Sequence, residues 1–347
     1  MAYLFERIKC SLTICNVFGA GFKYYDTKKA LFEYWSLYII NVFLNIFIYH
    51  RGMIRMTTLL VHVLDMMSIL NVICFHIRIL TPLVMVCSKL FADNEVLVST
   101  IRSIDDLIPS LENTSLFSYA WYFYGWIILH IITEELRLLI LWLAIKFQFI
   151  NGFDVLQTTY FDIVVCLPIV QYNMLMLLIG RAIKEINNDI TSIRKWKLYR
   201  AKWKELKNRA QQITHSVFDI SIVMFVAFSM CEIICFGYSI PYFSKVNKIN
   251  LIICFVITCI RLGFCIELFR VVHICKIEIN RTQTILNDMK TNSLLDLKEV
   301  QFSSLYMLHA RFHLVPCGVF ELSFRTLLAI FSMTIAFLAF QIQIKIG

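Results

Sequence analysis

The sequence predicts an all-α membrane protein with seven transmembrane helices, because it is far too apolar for a protein that folds in water. Apolar residues make up 59% of the chain and charged residues only 16%, whereas a soluble domain carries about 25% charged residues. The mean hydropathy is +0.70, and one compact core in water does not need that much apolar surface. With only 10 Gly and 5 Pro residues, the chain favours helices over turn-rich sheets.

Seven segments are long and apolar enough to cross a bilayer, for which a helix needs about 20 mostly apolar residues. They are residues 31–50, 57–87, 116–145, 157–180, 216–243, 248–272 and 319–344. The second and third exceed the thickness of the bilayer, so we expect tilted helices that extend beyond it.

The distribution of Lys and Arg predicts a cytoplasmic N-terminus and an outer C-terminus. In this topology the inner segments carry 23 of the 33 Lys and Arg residues and the outer segments carry 6, as the positive-inside rule requires. The same bias explains the net charge of +9, so a nucleic-acid partner is not expected. The predicted organisation is residues 1–180 for the first four spans, 181–215 for a cytoplasmic helical extension, 216–272 for spans five and six, 273–318 for a second cytoplasmic helical segment and 319–347 for the last span.

Residues 181–215 have the pattern of an amphipathic helix. Apolar residues recur at spacings of three and four from Ile183 to Ile213, and Lys and Arg residues occupy the other face. Such a helix either lies on anionic lipid or continues span four into the cytoplasm and packs on neighbouring helices. Because no Gly or Pro interrupts the segment, continuation is favoured.

The last span contains polar residues on one face. Thr334 and Gln341 share that face with Leu338, at spacings of four and three. In one interpretation, the polar groups form hydrogen bonds to neighbouring helices of a bundle. In the other, the face borders water, and an apolar ring at Leu338 closes a pore by excluding water.

The same segment resembles the C-terminal signature of insect gustatory receptors, which is Thr-Tyr, five apolar residues and Gln-Phe. Here Thr334-Ile335 is followed by five apolar residues and then by Gln341-Ile342. Thr and Gln match at the right spacing, and Ile replaces both aromatic residues. The lead-in from Gly318 to Leu322 and the layout of the chain are also similar to this family.

The resemblance implies a ligand-gated, nonselective cation channel of the plasma membrane, assembled as a homo- or heterotetramer. The predicted pore residues are Thr334, Leu338 at the constriction and Gln341 one turn outward, and the cytoplasmic helix extensions would form an anchor between subunits. Sugar-responsive relatives usually have an acidic residue where this chain has Ala336. A bitter or other non-sugar tastant is therefore the expected ligand. Membrane lipid and other subunits are the other expected partners.

Ionisable residues inside the spans form a second candidate site, because they are costly in lipid and usually face the bundle interior or water. Those toward the outer halves of spans two, three and five are the predicted ligand-binding residues: His62, Asp65, Glu134, Arg137 and Glu232. They suit a cavity for a polar or basic small molecule. Ion pairing between helices is the alternative.

Other classes of protein lack support in the sequence. The HExxH, GxSxG, P-loop and GxGxxG patterns do not occur, and no Cys/His spacing suits a metal. We therefore expect no enzyme, no metal site and no cofactor. A G-protein-coupled receptor would have an outer N-terminus, and a transporter usually shows internal repeats. Odorant receptors share the predicted architecture and remain the nearest alternative.

Overall fold

The computed structural model confirms the all-α class: helices dominate the part of the chain that it describes, and that part contains no strand. The described residues are 13–19, 28–60, 66–107, 122, 124–129, 131–133, 136, 152–246, 248–289, 294–309 and 312–346.

Long helices account for most of these residues. In chain order they are α1 (Lys28–Leu60), α2 (Met66–Ser88), α3 (Asn94–Leu107), α4 (Gly152–Asp189), α5 (Ile193–Gln212), α6 (Asp219–Val246), α7 (Lys248–Asp288), α8 (Leu294–His309) and α9 (Phe324–Ile346). A shorter apolar helix covers Tyr124–Thr133, between α3 and α4. A π-helical turn, Ile213–Val217, joins α5 to α6, and a 3-10 turn, Pro316–Gly318, precedes α9.

Length and composition identify two unbroken membrane spans among the described residues, Leu31–Ile54 and Thr159–Asp189. A third arises if Ile193–Val217 and Asp219–Ile234, which meet at an angle of 67°, are one span. Since α5 carries eight Lys and Arg residues, only the α6 half of that pair suits lipid. Each of the seven predicted spans contains described helix.

The boundary between the first two spans differs from the prediction. Helix α1 continues to Leu60 and α2 begins at Met66, so residues 51–56, predicted as an outer loop, are helical. Arg51 and Arg55 suggested the loop. Charged residues at the edge of a bilayer do not end a helix, because their long side chains can extend to the headgroups.

Helix α4 is the central helix of the bundle and packs most extensively on α7. From Phe161 to Ile183 nearly all of its side chains are buried. A Cβ atom added at Gly180 would lie 3.5 Å from the Cα of Cys275 on α7. The missing side chain therefore lets the two backbones approach closely.

Helix α4 continues beyond the predicted span to Asp189, as expected, but a short break at residues 190–192 separates it from α5. Ser192 begins α5 as its N-cap, since its hydroxyl accepts a hydrogen bond of 3.4 Å from the backbone N–H of Lys195. Tyr199 and Lys195 both bind the carboxylate of Asp189 across the break. The continuous helix predicted for 181–215 is therefore two helices.

The apolar face of α5 packs on other helices. Trp196 and Trp203 are each only 1% exposed. Their indole N–H groups donate to the hydroxyls of Ser303 on α8 and Thr282 on α7, and both distances are 2.9 Å. Packing on neighbours, rather than on lipid, is thus the role of this face, and α5, the end of α7 and α8 form one unit, called here the α5–α7–α8 unit.

Candidate functional site

The segment before α9 holds the start of that helix in a defined position. Cys317 and Gly318 both have positive φ values, 48° and 69°, which turn the chain sharply. The N–H of Leu322 then donates to the carbonyl of Leu314 at 2.9 Å. Ser323 caps α9 by accepting a hydrogen bond of 3.3 Å from the N–H of Thr326.

Glu321, in the same segment, connects it to α7. Its carboxylate binds the ammonium of Lys276 at 3.1 Å and lies 3.3 Å from the imidazole of His313. The entry to α9 is therefore attached to the α5–α7–α8 unit.

Thr334 lies on the face of α9 that packs against α6. The residue is 7% exposed, and its hydroxyl donates to the carbonyl of Ile330 at 2.9 Å and lies 3.1 Å from the sulfur of Met230. Thr334 therefore contacts a neighbouring helix of the same chain. Leu338 is half-buried on the neighbouring turn, and the side chain of Gln341 lies outside the described residues.

The opposite face of α9 is exposed in the single chain. It carries the bulky residues Met333, Ile335 and Phe340 beside the small residues Ser332 and Ala336. An apolar helix face of this length requires cover by lipid or by another protein surface.

Four charged side chains, of which three are buried and Arg78 is partly buried, join four helices inside the bundle. Glu232 on α6 binds Arg78 on α2 at 2.5 Å and Arg261 on α7 at 2.7 Å. Arg261 also binds Asp162 on α4 at 3.0 Å. Two positive and two negative side chains compensate one another, which is the condition under which charges are tolerated in such a place. We call these four residues the buried charge network.

Of the predicted ligand-binding residues, Glu232 is thus engaged in ion pairs between helices. His62, Asp65, Glu134 and Arg137 lie outside the described residues. Arg78, Asp162 and Arg261 were not among the predicted site residues. No local pattern could have found them, since Asp162 and Arg261 are 99 residues apart in the chain.

A smaller polar cluster joins the third predicted span to α7. The hydroxyl of Tyr122 donates to the carboxylate of Glu267 at 2.8 Å, and Arg270 binds the same carboxylate. Glu267 and Arg270 have the i, i+3 spacing of a helical ion pair, which is the only sequence signal for this contact. No group of three potential metal-ligating side chains occurs among the described residues.

Comparisons with known proteins agree with this architecture. Residues 8–347 match the model of the family described as 7tm chemosensory receptor. Among solved structures, the chain is similar to the insect olfactory receptor OR5 from Machilis hrabei, with a TM-score of 0.63 and 13% identity over 98% of both chains. That likeness concerns the fold, and no curated protein sequence matches the chain. With the family model matching nearly every residue, the chain belongs to the seven-transmembrane chemosensory receptor family.

Proposed function

We propose that the chain is a taste receptor that acts as a subunit of a ligand-gated, nonselective cation channel, opened by a bitter or other non-sugar tastant. The supporting observation is that α6 makes two contacts within one turn. Met230 contacts Thr334 on α9, and Glu232 belongs to the buried charge network. A ligand that favours another arrangement of these charges would move α6, and α9 would move with it.

The pore in this proposal is formed by α9 from four subunits, identical or different. Leu338 forms an apolar ring that excludes water in the closed state, and Gln341 lies one turn outward. Thr334 fixes the rotation of α9 through its contact with α6. The exposed face of α9 is covered by neighbouring subunits and by lipid.

The proposed ligand cavity lies in the outer half of the bundle, with the N-terminus in the cytoplasm and the receptor in the plasma membrane. His62, Asp65, Glu134 and Arg137 supply polar groups to the ligand. Glu232, held by Arg78 and Arg261, joins this cavity to the buried charge network. No cofactor takes part.

Patch-clamp recording of cells that express the chain alone tests the proposal. A panel of non-sugar tastants should evoke cation currents that persist when the pipette contains an inhibitor of G proteins. Responses that disappear with the inhibitor would favour a G-protein-coupled receptor instead. The fold similarity to an olfactory receptor favours an odorant-gated channel as the second candidate, for which volatile compounds, and not tastants, would evoke the current.

A further inference from the structure

The α5–α7–α8 unit contains a cavity that the proposed channel function does not use. Its volume is about 280 Å³, and its walls come from α5, α7, α8 and residues 312–313. This volume is close to the lower end of the range of small-molecule pockets, about 300–1,000 Å³. The cavity is thus large enough for a small organic molecule.

The lining of the cavity is basic. Lys207 from α5, Lys276 from α7 and His313 reach it, and the described residues that line it include no Asp or Glu. Lys207 is only 2% exposed, with its ammonium 5.6 Å from the centre of the Trp203 ring. This burial, together with the charge of Lys204, lowers the pKa of Lys207. An anion in the cavity would favour the charged form of Lys207.

Glu321 binds both Lys276 and His313, but it is not among the described residues that line the cavity. An exchangeable anion with more than one negative charge would suit this arrangement, and a phosphate has that property. Lysine is a common ligand of phosphate in proteins.

The remaining walls indicate the rest of the ligand. Asn280 and Gln283 lie one turn apart on α7 and offer amide groups, and Trp203 and Phe312 add aromatic surface. We infer that the cavity binds an organic phosphate, with Lys207 and Lys276 on the phosphate and the two amides on the polar groups of the molecule that carries it.

The position of the cavity relative to the membrane limits the possible sources of this phosphate. Lys276 lies four residues beyond residue 272, the predicted inner end of span six, which is about 6 Å along a helix. The phosphate therefore belongs either to the headgroup of an inner-leaflet lipid or to a soluble molecule of the cytoplasm. Its competition with Glu321 for Lys276 would loosen the segment that leads into α9 and thereby change channel opening.

Binding to the full-length protein in phosphatidylcholine nanodiscs tests this inference. The soluble probe is inositol 1,4-bisphosphate, and the lipid probe is phosphatidylinositol 4-phosphate added to the nanodiscs. Affinity is measured for the native chain, for Lys207→Gln and Lys276→Gln, and for the control Lys202→Gln, which removes an exposed charge from the same helix. Lys276 is half-exposed, so its variant tests the site even where Lys207→Gln fails to fold.

We expect Lys276→Gln and folded Lys207→Gln to lower the affinity about tenfold or more, as for the loss of a charged hydrogen bond, and Lys202→Gln to leave it unchanged. Binding of one probe only assigns the ligand to that source. Failure of both probes to bind the native chain overturns the inference. An equal loss in Lys202→Gln also overturns it, because binding would then reflect the basic surface of α5 as a whole.

Discussion

The hydroxyl of Thr334 on α9 lies 3.1 Å from the sulfur of Met230 on α6, only two residues from Glu232 in the buried charge network. A single stretch of α6 therefore contacts both the proposed pore helix and the charges in the middle of the bundle. Because α6 is packed against both, a movement of α6 would be transmitted to α9 and to the charge network.

The pore proposal predicts that Leu338→Ser raises ligand-independent current, because a polar ring no longer excludes water. Met333→Ser, on an exposed part of α9, is the matched control and should leave the current near zero. Cysteines placed along α9 then identify the pore face. Block by a water-soluble thiol reagent at 338 and 341, with 332 and 336 spared, supports the proposal, and the reverse pattern would place the pore on the opposite face.

The buried charge network predicts a large loss of stability when one partner is removed. Arg261→Gln leaves Asp162 and Glu232 with an uncompensated negative charge, and breaking such a buried pair costs about 3–5 kcal/mol. The double variant Arg261→Gln, Asp162→Asn should recover part of that loss. Thermal unfolding in detergent, followed by Trp fluorescence, measures both.

The ion pair of Arg281 with Glu278, in which the Arg281 side chain is exposed to solvent, supplies the control for this experiment. Arg281→Gln should change stability by less than about 1 kcal/mol, because a solvent-exposed charge contributes little through an ion pair. Equal unfolding temperatures for Arg261→Gln and Arg281→Gln would mean that the buried network does not stabilise the fold.

The proposed ligand cavity predicts that Asp65→Asn and Glu134→Gln change agonist sensitivity about tenfold while surface expression is retained, as expected for the loss of one charged hydrogen bond to the ligand. Asp296→Asn, which removes an ion pair with Lys197 far from this cavity, should have the native sensitivity. If Asp65→Asn and Glu134→Gln lower only expression, these residues serve helix packing.

Substitutions of Trp203, which packs inside the α5–α7–α8 unit, should lower the free energy of unfolding by graded amounts. Trp203→Phe keeps an aromatic ring but loses the hydrogen bond to Thr282, which should cost about 1 kcal/mol, whereas Trp203→Ala should cost about 3–5 kcal/mol by leaving a cavity. Trp35→Phe, at a partly exposed Trp of α1, is the control. If Trp203→Phe lowers the free energy of unfolding no more than Trp35→Phe does, the hydrogen bond to Thr282 does not stabilise the fold.

The predicted orientation is tested with an epitope tag at each end of the chain. The Lys and Arg distribution predicts a cytoplasmic N-terminus, so its tag should stain only after the cells are permeabilised, and the C-terminal tag should stain in intact cells. Staining of the N-terminal tag in intact cells would contradict the channel proposal, which depends on this orientation.

The fold class and the helices were predictable from sequence because hydropathy reports directly on membrane burial. Two boundaries were not. Arg51 and Arg55 suggested a loop where α1 continues, and the break at residues 190–192 contains no Gly or Pro to signal it. Both depend on local contacts that composition does not record.

The candidate site was less accessible to sequence reasoning, because it depends on which helices meet. Glu232 was recognisable as an ionisable residue in a span, but its partners Arg78 and Arg261 come from other helices. The spacing of Thr334 and Leu338 was correctly taken as one helix face. Only packing shows that Thr334 faces α6, since a period of four residues says nothing about which neighbour a face meets.

The buried charge network also constrains how the chain is made. Arg78, Asp162, Glu232 and Arg261 are synthesised in that order, and each alone costs about 3 kcal/mol to place at the centre of a membrane helix. An emerging chain therefore carries unmatched charges in its spans until α7 arrives to complete the set. Until then, the early helices should be kept away from bulk lipid during membrane insertion. A chain truncated before α7 should therefore be degraded rather than yield a smaller receptor.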